Sequence, residues 1–566
     1  MLLRACGLPA AWAGQAQWRI LQAGFADGTG FLRAWHAWRA DPQRPGLLHL
    51  VAIDAAPPTA DAIRAAAGAD PELQPLAAAL GAQWHGLVPG FHRLAFEDGR
   101  VLLTLCVGEL PAMLREQVFR ADTAWLEAAS HPWDASTAKA MTRLCRRGAS
   151  LAAPGAGAPL RRELQACGWR VDAVQDDLLA ARYEPAWVVK GLAEAPPLQP
   201  ARAVVVGAGL AGAAVAASLS RRGWSVLVLD AAPQPASGAS GLPAGLLAPH
   251  QSPDDNLLSR LSRAGVRVTL QQAQQRLASG LEWERTGVLE VRGDDVRPLP
   301  ALGDALVPWS REATDAQKRA AGLAPDAAAW WHENAAWIEP AALVRSWLRE
   351  PRVRFVGGWQ VRRIERQGER FLVTDSSSSR AAEVELVVVA AALDSRTLLQ
   401  DRVQVQPVRG QVTWAPREDD AALLPPFPVN GNGHFLPRVP LVERGAWITG
   451  STYGRGDGET ALRPQDDAAN LERVRALLPR ADVAMQAATA RGAIRSWSGV
   501  RCASSDRRPL VGEIEPGLWV STAMGSRGLT FAALCAELLA ARLHGEPLPL
   551  EARLAQALDA ARQAAT

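Results

Sequence analysis

The sequence contains few cysteines and no recognisable metal-binding pattern. Its six cysteines are scattered along 566 residues, without a CxxC pair or a neighbouring cluster of histidines. This spacing argues against a zinc site and against a disulfide framework, and it is typical of proteins in a reducing compartment. We therefore expect no metal ion and a cytoplasmic location.

Long hydrophobic runs are also lacking. No stretch approaches the roughly 20 apolar residues that a membrane span requires, and the apolar run at the N-terminus is too short for a signal peptide. We expect no association with a membrane. The formal net charge is only +3, and such a balance neither requires nor excludes a nucleic-acid partner.

The length points to more than one domain, since 566 residues exceed what a single hydrophobic core supports. A proline-dense stretch at residues 194–200 is typical of a linker. We place a first domain at residues 1–185, the linker at 186–200 and a second domain at 201–566.

The clearest motif is a glycine loop between two apolar runs at residues 203–230. Gly207, Gly209 and Gly212 have the GxGxxG spacing, a small-residue helix follows, and the second run ends at Asp230. In a βαβ unit the first glycine permits a tight turn, the second lets the backbone approach a pyrophosphate, and the third lets helix and strand pack closely. An acid placed like Asp230 accepts hydrogen bonds from a ribose hydroxyl. This stretch predicts a bound dinucleotide.

Two later segments of this half are predicted to serve the same cofactor. The small residues at 236–249, with Ser240 and Gly241, leave backbone N–H groups accessible along a pyrophosphate and flavin, although a flexible surface loop is the alternative. A helix start presents N–H donors and a positive dipole to an anion such as reduced flavin. The residues predicted to form that helix start are Gly525, Ser526, Arg527 and Gly528.

The first half contains a second, weaker arrangement of the same kind. A strand leads into a loop with Gly24 and Gly28, and the next strand, at 47–53, is followed by Asp54. A Rossmann-like methyltransferase would hold S-adenosylmethionine in this way, and the alternative is a structural glycine turn followed by a buried strand. Strands then alternate with helices, which predicts a parallel sheet covered on both faces.

Three further predictions concern secondary structure. Residues 135–146 are predicted to form an amphipathic helix. The apolar run 384–393 is predicted to be one buried parallel strand that returns to the dinucleotide sheet. Alternating runs between about 403 and 490 predict an inserted antiparallel sheet, where we expect the substrate to lie.

Taken together, these motifs resemble the family of bifunctional tRNA 5-methylaminomethyl-2-thiouridine biosynthesis proteins over most of the chain. In the second half the resemblance rests on the glycine loop and on the motifs Arg222-Gly-Trp224, Gly238-Ala-Ser-Gly241, Gly431-Asn-Gly433, Gly499-Val-Arg501 with Asp506, and Gly525-Ser-Arg-Gly-Leu529. In the first half it rests on Gly24-Phe25, Phe31-Leu32, residues 47–54, His92-Arg-Leu94 and Ala140-Met-x-Arg-Leu144.

The resemblance implies an α/β fold class: an N-terminal Rossmann-like methyltransferase domain, then a FAD-binding Rossmann-type domain similar to glycine and D-amino-acid oxidases, with the inserted antiparallel sheet. The implied cofactors are FAD and S-adenosyl-L-methionine, and the implied partner is tRNA. The oxidase would remove the carboxymethyl group from 5-carboxymethylaminomethyluridine at the wobble position. The methyltransferase would then methylate the exposed amine. We expect a monomer.

Arg501 is the candidate catalytic residue of the oxidase half. The modified base carries an N-substituted glycine, so a hydride moves from the glycine carbon to flavin and the imine hydrolyses to an amine and glyoxylate. Because flavin carries the difficult step, the site needs a cation for the carboxylate more than it needs a base. Arg501 is predicted to be that bidentate clamp, with Arg527 next in line. The alternative is that Arg501 pairs with a structural acid such as Asp506.

The methyltransferase half departs from the family pattern. Ala26 replaces a loop glycine and Asp27 a small residue, which hinders the cofactor's carboxylate sterically and electrostatically. The acid that would take the amine's proton falls in a shortened segment, 126–130, where Glu127 is its stand-in. Two alternatives stay open: this half is an inactive module for scaffolding or tRNA binding, or the whole chain is an oxidase of free amino acids.

Overall fold

The computed structural model describes residues 1–127, 131–175, 177–187, 199–293, 298–375, 380–418 and 421–563. The chain divides into two compact units, of which the first contains residues 1–199 and 540–555 and the second contains residues 200–539 and 556–566. Most of the predicted linker, at 188–198, lies outside the described residues, as do residues 128–130 of the shortened segment.

The first unit is built on an eight-stranded sheet. Its strands are β1 (Gln17–Ala23), β2 (Leu47–Asp54), β3 (Gly90–Phe96), β4 (Val101–Val107), β5 (Ala121–Leu126), β6 (Cys145–Pro154), β7 (Trp169–Gln175) and β8 (Leu178–Tyr183). Its helices within residues 1–187 are α1 (Leu2–Ala5), α2 (Thr29–Ala40), α3 (Ala60–Ala67), α4 (Gln74–Gln83), α5 (Leu110–Arg115), α6 (Ala135–Thr142) and α7 (Ala158–Ala166). The strand order is β3-β4-β2-β1-β5-β6-β8-β7.

This sheet is parallel in its centre and covered on both faces. Strands β4, β2, β1, β5 and β6 run parallel, whereas β3, β8 and β7 add antiparallel edges. Along β1, Trp18 and Ile20 belong to one hydrophobic core, while Leu21 and Ala23 belong to the other. Alternation between two cores is what a sheet buried on both sides requires. The predicted parallel, covered sheet is confirmed for the central strands.

The second unit contains four sheets. Its strands are β9 (Arg202–Val206), β10 (Ser225–Leu229), β11 (Gly245–Leu247), β12 (Trp283–Glu284), β13 (Val288–Val291), β14 (Arg311–Glu312), β15 (Ala329–His332), β16 (Ala336–Ile338), β17 (Val353–Val356), β18 (Val361–Gln367), β19 (Arg370–Asp375), β20 (Ala381–Val384), β21 (Leu386–Val389), β22 (Gln406–Pro416), β23 (Val429–Gly431), β24 (Gly433–Val439), β25 (Ala446–Gly450), β26 (Gly454–Arg455), β27 (Arg495–Ala503), β28 (Leu510–Glu515) and β29 (Leu518–Thr522).

The helices from residue 200 onward follow the same numbering. They are α8 (Leu210–Arg221), α9 (Leu257–Arg276), α10 (Asp315–Ala320), α11 (Pro340–Leu348), α12 (Ser395–Leu398), α13 (Pro464–Leu477), α14 (Asp482–Ala490), α15 (Gly528–His544) and α16 (Ala552–Gln556).

The nucleotide fold of this unit is a six-stranded sheet with the order β17-β10-β9-β21-β29-β28. Its neighbours pair in parallel except for β28, which is antiparallel to β29. Strand β9, the glycine loop, helix α8 and strand β10 form the predicted βαβ unit. The loop therefore lies at the carboxyl end of a central strand, which is where open α/β sheets bind their ligands.

A second, mostly antiparallel sheet has the order β14-β15-β13-β23-β24-β25-β22-β26, and β27 also pairs with β22. It draws strands from three stretches of sequence, within 288–332, 406–455 and 495–503. The inserted sheet predicted at 403–490 therefore exists but reaches further in both directions. The prediction is wrong for the last part of that range, because α13 and α14 are helices.

Two other predicted elements are shorter in the structure. The helix predicted at 135–146 ends at Thr142, because the chain enters β6 at Cys145, which pairs with Ala121 of β5. The apolar run 384–393 supplies only the strand β21, which does return to the dinucleotide sheet beside β9. Val384 ends β20 in another sheet, and the chain turns after β21 at Ala392, whose φ is 50°.

Candidate active sites

The glycine loop of the second unit is held by a backbone hydrogen bond to the neighbouring strand β10. The Gly207 N–H donates to the carbonyl of Leu229 at 2.7 Å, and Gly207 has a φ of 107°, which side-chain-bearing residues rarely adopt. A Cβ on Gly212 would lie well inside contact distance of the Gly207 carbonyl oxygen. Gly212 thus serves helix–strand packing, whereas Gly209 begins helix α8 and lines the cavity beside it.

Asp230 and Ser240 hold this loop in place. The carboxylate of Asp230 accepts from the Ala208 N–H at 2.7 Å and from the Ala232 N–H at 2.8 Å. Ser240 Oγ accepts from the Leu210 N–H at 3.0 Å, at the start of α8. A carboxylate has about four acceptor positions, so Asp230 keeps capacity for a ribose hydroxyl. Gly241 does not line the cavity; its N–H donates to the Gly238 carbonyl within a tight turn.

The loop opens into a cavity of about 760 Å³ that lies wholly within the second unit. Ser240 contributes to its wall, so the alternative of a flexible surface loop at 236–249 does not apply to this residue. The predicted helix start contributes Gly525, Ser526, Arg527 and Gly528. A dinucleotide requires a cradle without side chains at the pyrophosphate and an elongated cavity behind it. The residues present fit FAD on both counts.

Arg501 lies in this cavity and is half-buried. Its Nη2 donates to Ser451 Oγ at 2.5 Å and its Nη1 approaches the carbonyl oxygens of Thr452 and Arg409 at 3.4 and 3.5 Å. Burial lowers the pKa of the Arg501 guanidinium. Among the described residues, no carboxylate forms an ion pair with it. A partly buried cation with only neutral partners is suited to an anionic ligand.

The alternative pairing of Arg501 with Asp506 is wrong. Asp506 instead accepts from Arg508 Nη2 at 2.6 Å and from Arg562 Nε at 3.0 Å. Arg527, the second candidate, also lines the cavity, and burial lowers the pKa of its guanidinium too.

Several residues of this cavity were not found from the sequence. Burial lowers the pKa of His434 to about 4, and its Nε2 has no partner among the described residues. Burial alone would raise the pKa of Glu290, but hydrogen bonds from His332 and Arg292 outweigh it and bring the pKa to about 2. Gly410, which does not line the cavity itself, was also missed; a Cβ there would occupy the space of the Arg501 guanidinium. A glycine inside a strand signals such a close approach, and this was the available clue.

The first unit contains a similar loop after β1. The Gly24 N–H donates to the carbonyl of Ile53 at 2.9 Å, and Asp54 accepts from the Phe25 and Ala56 N–H groups, each at 2.9 Å. Gly28 precedes helix α2 in the left-handed conformation, with a φ of 78°. The structure therefore brings Gly24, Gly28 and Asp54 together at the carboxyl ends of β1 and β2.

Ala26 and Asp27 form the exposed tip of this loop. Ala26 has a φ of 52°, a region that favours glycine, because an L-residue there brings Cβ too close to the following carbonyl. Asp27 Oδ1 accepts from the Thr29 N–H at 2.9 Å, at the start of α2. The helix N-terminus, which could receive a ligand's carboxylate, already has a carboxylate from the chain itself.

Glu127 follows β5, next to β1 in the same sheet. Its N–H donates to the Ala23 carbonyl at 2.9 Å, so it lies close to the glycine loop. Burial raises the pKa of the Glu127 carboxyl, and the charge of Asp27 raises it further. Glu127 and Asp27 therefore share one electrostatic environment, as two acids at the carboxyl edge of the sheet.

Within the described ranges, no helix is long and apolar enough to cross a membrane. The same residues contain no group of three or more His, Cys, Asp or Glu side chains placed to hold a metal ion.

The fold and the two sites define a FAD-dependent oxidoreductase joined to a methyltransferase. Residues 202–542 match the family of FAD dependent oxidoreductases, and residues 71–176 match the S-adenosyl-L-methionine-dependent methyltransferases. The chain is 49% identical to the tRNA 5-methylaminomethyl-2-thiouridine biosynthesis bifunctional protein MnmC of Polaromonas naphthalenivorans (strain CJ2), across 99% of this chain and 92% of that protein. The chain belongs to this MnmC family, and the cofactors FAD and S-adenosyl-L-methionine are confirmed.

Solved structures support the fold of the second half. Glycine oxidase from Bacillus cereus ATCC 14579 matches with a TM-score of 0.50 and 20% identity, over 61% of this chain and 95% of its own. L-Proline dehydrogenase from P. horikoshii matches with a TM-score of 0.52 and 15% identity, over 65% of this chain and 98% of its own. At such identities the likeness concerns the fold alone, and the predicted fold class is confirmed.

Proposed function

We propose that this enzyme modifies the wobble uridine of tRNA in two steps. The first removes the carboxymethyl group from 5-carboxymethylaminomethyl(-2-thio)uridine, and the second methylates the resulting aminomethyl group. The relative from Polaromonas naphthalenivorans is named as a biosynthesis protein of this modified nucleoside, and its similarity to this chain covers 92% of its length. The observation that carries the proposal is Arg501, a half-buried cation of the flavin cavity without an acid partner among the described residues.

In the oxidation, this chain's residues bind and orient the N-substituted glycine. When bound, FAD accepts the hydride from the glycine carbon. Arg501 holds the carboxylate, since a guanidinium offers two parallel donors in a fixed geometry. Arg527 adds a second positive charge to the same cavity. The imine that remains is hydrolysed to the aminomethyl group and glyoxylate.

In the methylation, Gly24, Gly28 and Asp54 form the cofactor site, and Glu127 takes the proton of the attacking amine. S-adenosyl-L-methionine supplies the methyl group. The raised pKa of Glu127 makes its carboxylate a stronger base than an ordinary glutamate, which suits this role. Glu127 also lies close to the loop that would hold the methyl donor, because its N–H donates to the carbonyl of Ala23.

The conformation of the loop tip favours a second candidate for the first unit. Asp27 occupies the start of α2 with its own carboxylate, so this unit would bind its cofactor weakly and act chiefly in scaffolding or tRNA binding. The two candidates share the oxidase reaction and differ only in whether methylated product forms.

The test uses the full chain and tRNA that carries 5-carboxymethylaminomethyluridine. We expect a yellow protein with bound FAD that releases glyoxylate, and in the presence of S-adenosyl-L-methionine a methylaminomethyl nucleoside after digestion. Aminomethyluridine as the only product at saturating cofactor would favour the scaffold. A protein that oxidises free glycine or sarcosine but no tRNA would contradict the proposal.

We further propose a monomeric enzyme of the cytoplasm. All six cysteines are unbridged, which suits a reducing compartment. Light scattering of the purified protein tests the first statement.

A further inference from the structure

The flavin cavity is bordered by an aromatic residue that the reaction does not use. Tyr453 lies between β25 and β26, two residues after Ser451, which lines the cavity. Its ring is 47% exposed, whereas the other tyrosine of the chain, Tyr183, is buried. An exposed ring beside a substrate cavity is available to a ligand that reaches in from solvent.

Two guanidinium groups lie close to this ring. The Arg455 Cζ lies 5.8 Å from the ring centroid, and the Arg501 Cζ lies 5.9 Å from it. Unpaired bases of RNA stack on aromatic rings and on guanidinium planes. The chain therefore places both kinds of stacking group together, next to the residue that we assign to the substrate's carboxylate.

Two exposed arginines supply positive charge at the same place. Arg455 and Arg507 are exposed, and within the part of the chain that the structure describes neither forms an ion pair. The charge of Arg507 contributes, after burial and Tyr453, to the environment of Arg527 in the cavity. Exposed arginines without acid partners are suited to phosphate groups.

We propose that Tyr453, Arg455 and Arg507 form the binding surface for the target nucleotide of tRNA, which we name the rim. Tyr453 stacks against the uracil base, and the two arginines contact backbone phosphates. The substituent between the base and its carboxylate carbon contains four bonds, about 5 Å when extended. The Arg501 Cζ lies 5.9 Å from the Tyr453 ring centroid, so a base stacked on this ring can bring its carboxylate to the guanidinium. The inference rests on the proposed function and adds the residues that select a nucleotide over a free amino acid.

The experiment compares three ligands of the FAD-loaded enzyme. They are tRNA with 5-carboxymethylaminomethyluridine, the same free nucleoside, and N-methylglycine, which carries the carboxylate and amine without a base and therefore reports, as a competitive inhibitor, on the carboxylate site of the cavity. Loss of one base stack corresponds to about fivefold to a hundredfold in binding. We expect Tyr453→Ala to raise KM by that factor for tRNA and nucleoside, while Tyr453→Phe stays close to wild type and the inhibition constant of N-methylglycine is unchanged.

The arginines are tested with the double variant Arg455→Gln and Arg507→Gln. It should raise KM for tRNA, leave the nucleoside unaffected, and reduce the dependence of log KM on log salt by roughly 0.7 for each phosphate that the protein no longer neutralises. Arg354→Gln removes an exposed arginine of β17, which does not line the cavity, and is the matched control.

Two results would overturn the inference. Equal loss of tRNA, nucleoside and N-methylglycine binding in Tyr453→Ala would mean that the ring only supports Arg501. An unchanged KM for tRNA in all rim variants would place nucleotide recognition elsewhere. If the wild-type enzyme forms no glyoxylate from either nucleotide substrate, the proposed function itself fails, which is a separate outcome.

Discussion

The two nucleotide-binding units of this chain use the same backbone device at their glycine loops. In each, the first loop glycine donates to the residue before the acid: Gly24 to Ile53 and Gly207 to Leu229. The acid then accepts from the loop and from the residue two positions after itself, as Asp54 and Asp230 both do. An acid at the end of the second strand therefore stabilises the loop itself, and in the proposed sites the same acid also binds a ribose.

The loops differ in how strongly they depend on glycine. In the second unit, a Cβ on Gly207 or Gly212 would collide with backbone atoms, which cannot move aside. In the first unit, a Cβ on Gly30 would meet only side chains, the nearest being Gln22 at 3.6 Å, and Ala26 already carries one at a φ of 52°. Both loops are held by backbone hydrogen bonds. The FAD loop leaves no room for a Cβ at Gly207 or Gly212, whereas the methyltransferase loop already carries one at its tip, on Ala26.

The sites also differ in charge. The oxidase cavity has a half-buried arginine, Arg501, without an acid partner among the described residues, whereas the methyltransferase edge has two acids close together, Asp27 and Glu127. A positive site suits a substrate carboxylate. Two neighbouring acids repel any ligand that brings its own carboxylate. Besides burial, the same repulsion raises the pKa of Glu127, which makes its carboxylate a stronger base.

The largest expected effect comes from adding one methyl group at Gly212 of the FAD loop. Gly212→Ala pushes a Cβ against the Gly207 carbonyl, so helix α8 cannot pack on β9; overpacking costs about 1 to 3 kcal/mol and more where backbone cannot yield. We expect a colourless protein with a lowered melting temperature. Gly30→Ala, the matched change in α2, should keep full flavin and wild-type stability. A Gly212→Ala protein that purifies with its full content of bound FAD would refute the contrast between the loops.

Arg501→Ala should have the next largest effect. Truncating one partner of a buried charge pair costs about 2 to 5 kcal/mol, which corresponds to more than a tenfold loss in kcat/KM for the carboxymethylaminomethyl substrate. The flavin spectrum should persist, because Arg501 contacts neither the glycine loop nor Asp230. An unchanged kcat/KM would mean that Arg527 binds the substrate's carboxylate instead, and Arg527→Ala would then show the loss.

Much of this fold could be predicted because it depends on local patterns. The glycine spacing, the acid at Asp230 and the period of the strands identify both βαβ arrangements without any long-range information. The boundaries could not be predicted as well. The apolar period that suggests a helix at 135–146 continues through Leu144, but β5 pairs with Cys145 and takes that residue into the sheet.

The oxidase site shows the same limit. Arg501 could be selected as a candidate, but its surroundings depend on Gly410 of β22 and on Ser451, which follows β25. His434 and Glu290 lie on two further strands of the sheet that contains β22. Pairings between such distant segments are set by tertiary packing, which a single sequence does not display.

The double change Ala26→Gly and Asp27→Thr should strengthen binding of S-adenosyl-L-methionine moderately. Glycine suits the left-handed φ of residue 26 and removes a methyl group from the loop tip. Because Asp27 is exposed, its repulsion of the cofactor's carboxylate takes the value for water, about 1 kcal/mol at 4 Å, or about fivefold in affinity. Calorimetric titration measures it. Tight binding by the unmodified chain, unimproved by the double change, would mean that the loop hinders nothing.

The smallest expected effect is a shift in the pH dependence of methylation. Glu127 acts as a base only when ionised, so the rate falls as the pH drops through its raised pKa. Asp27→Asn removes the lesser of the two causes of that raised pKa and leaves burial in place, so the acid limb should move to lower pH without disappearing. Rates at saturating S-adenosyl-L-methionine separate this shift from the gain in binding.

Glu127→Gln should remove the limb together with most of the activity, whereas Asp61→Asn, which neutralises an exposed acid of α3, should leave the profile unchanged. A limb that stays in place in Asp27→Asn would show that the two acids of the methyltransferase edge titrate independently, and the doubly acidic edge would then no longer distinguish this site from the oxidase.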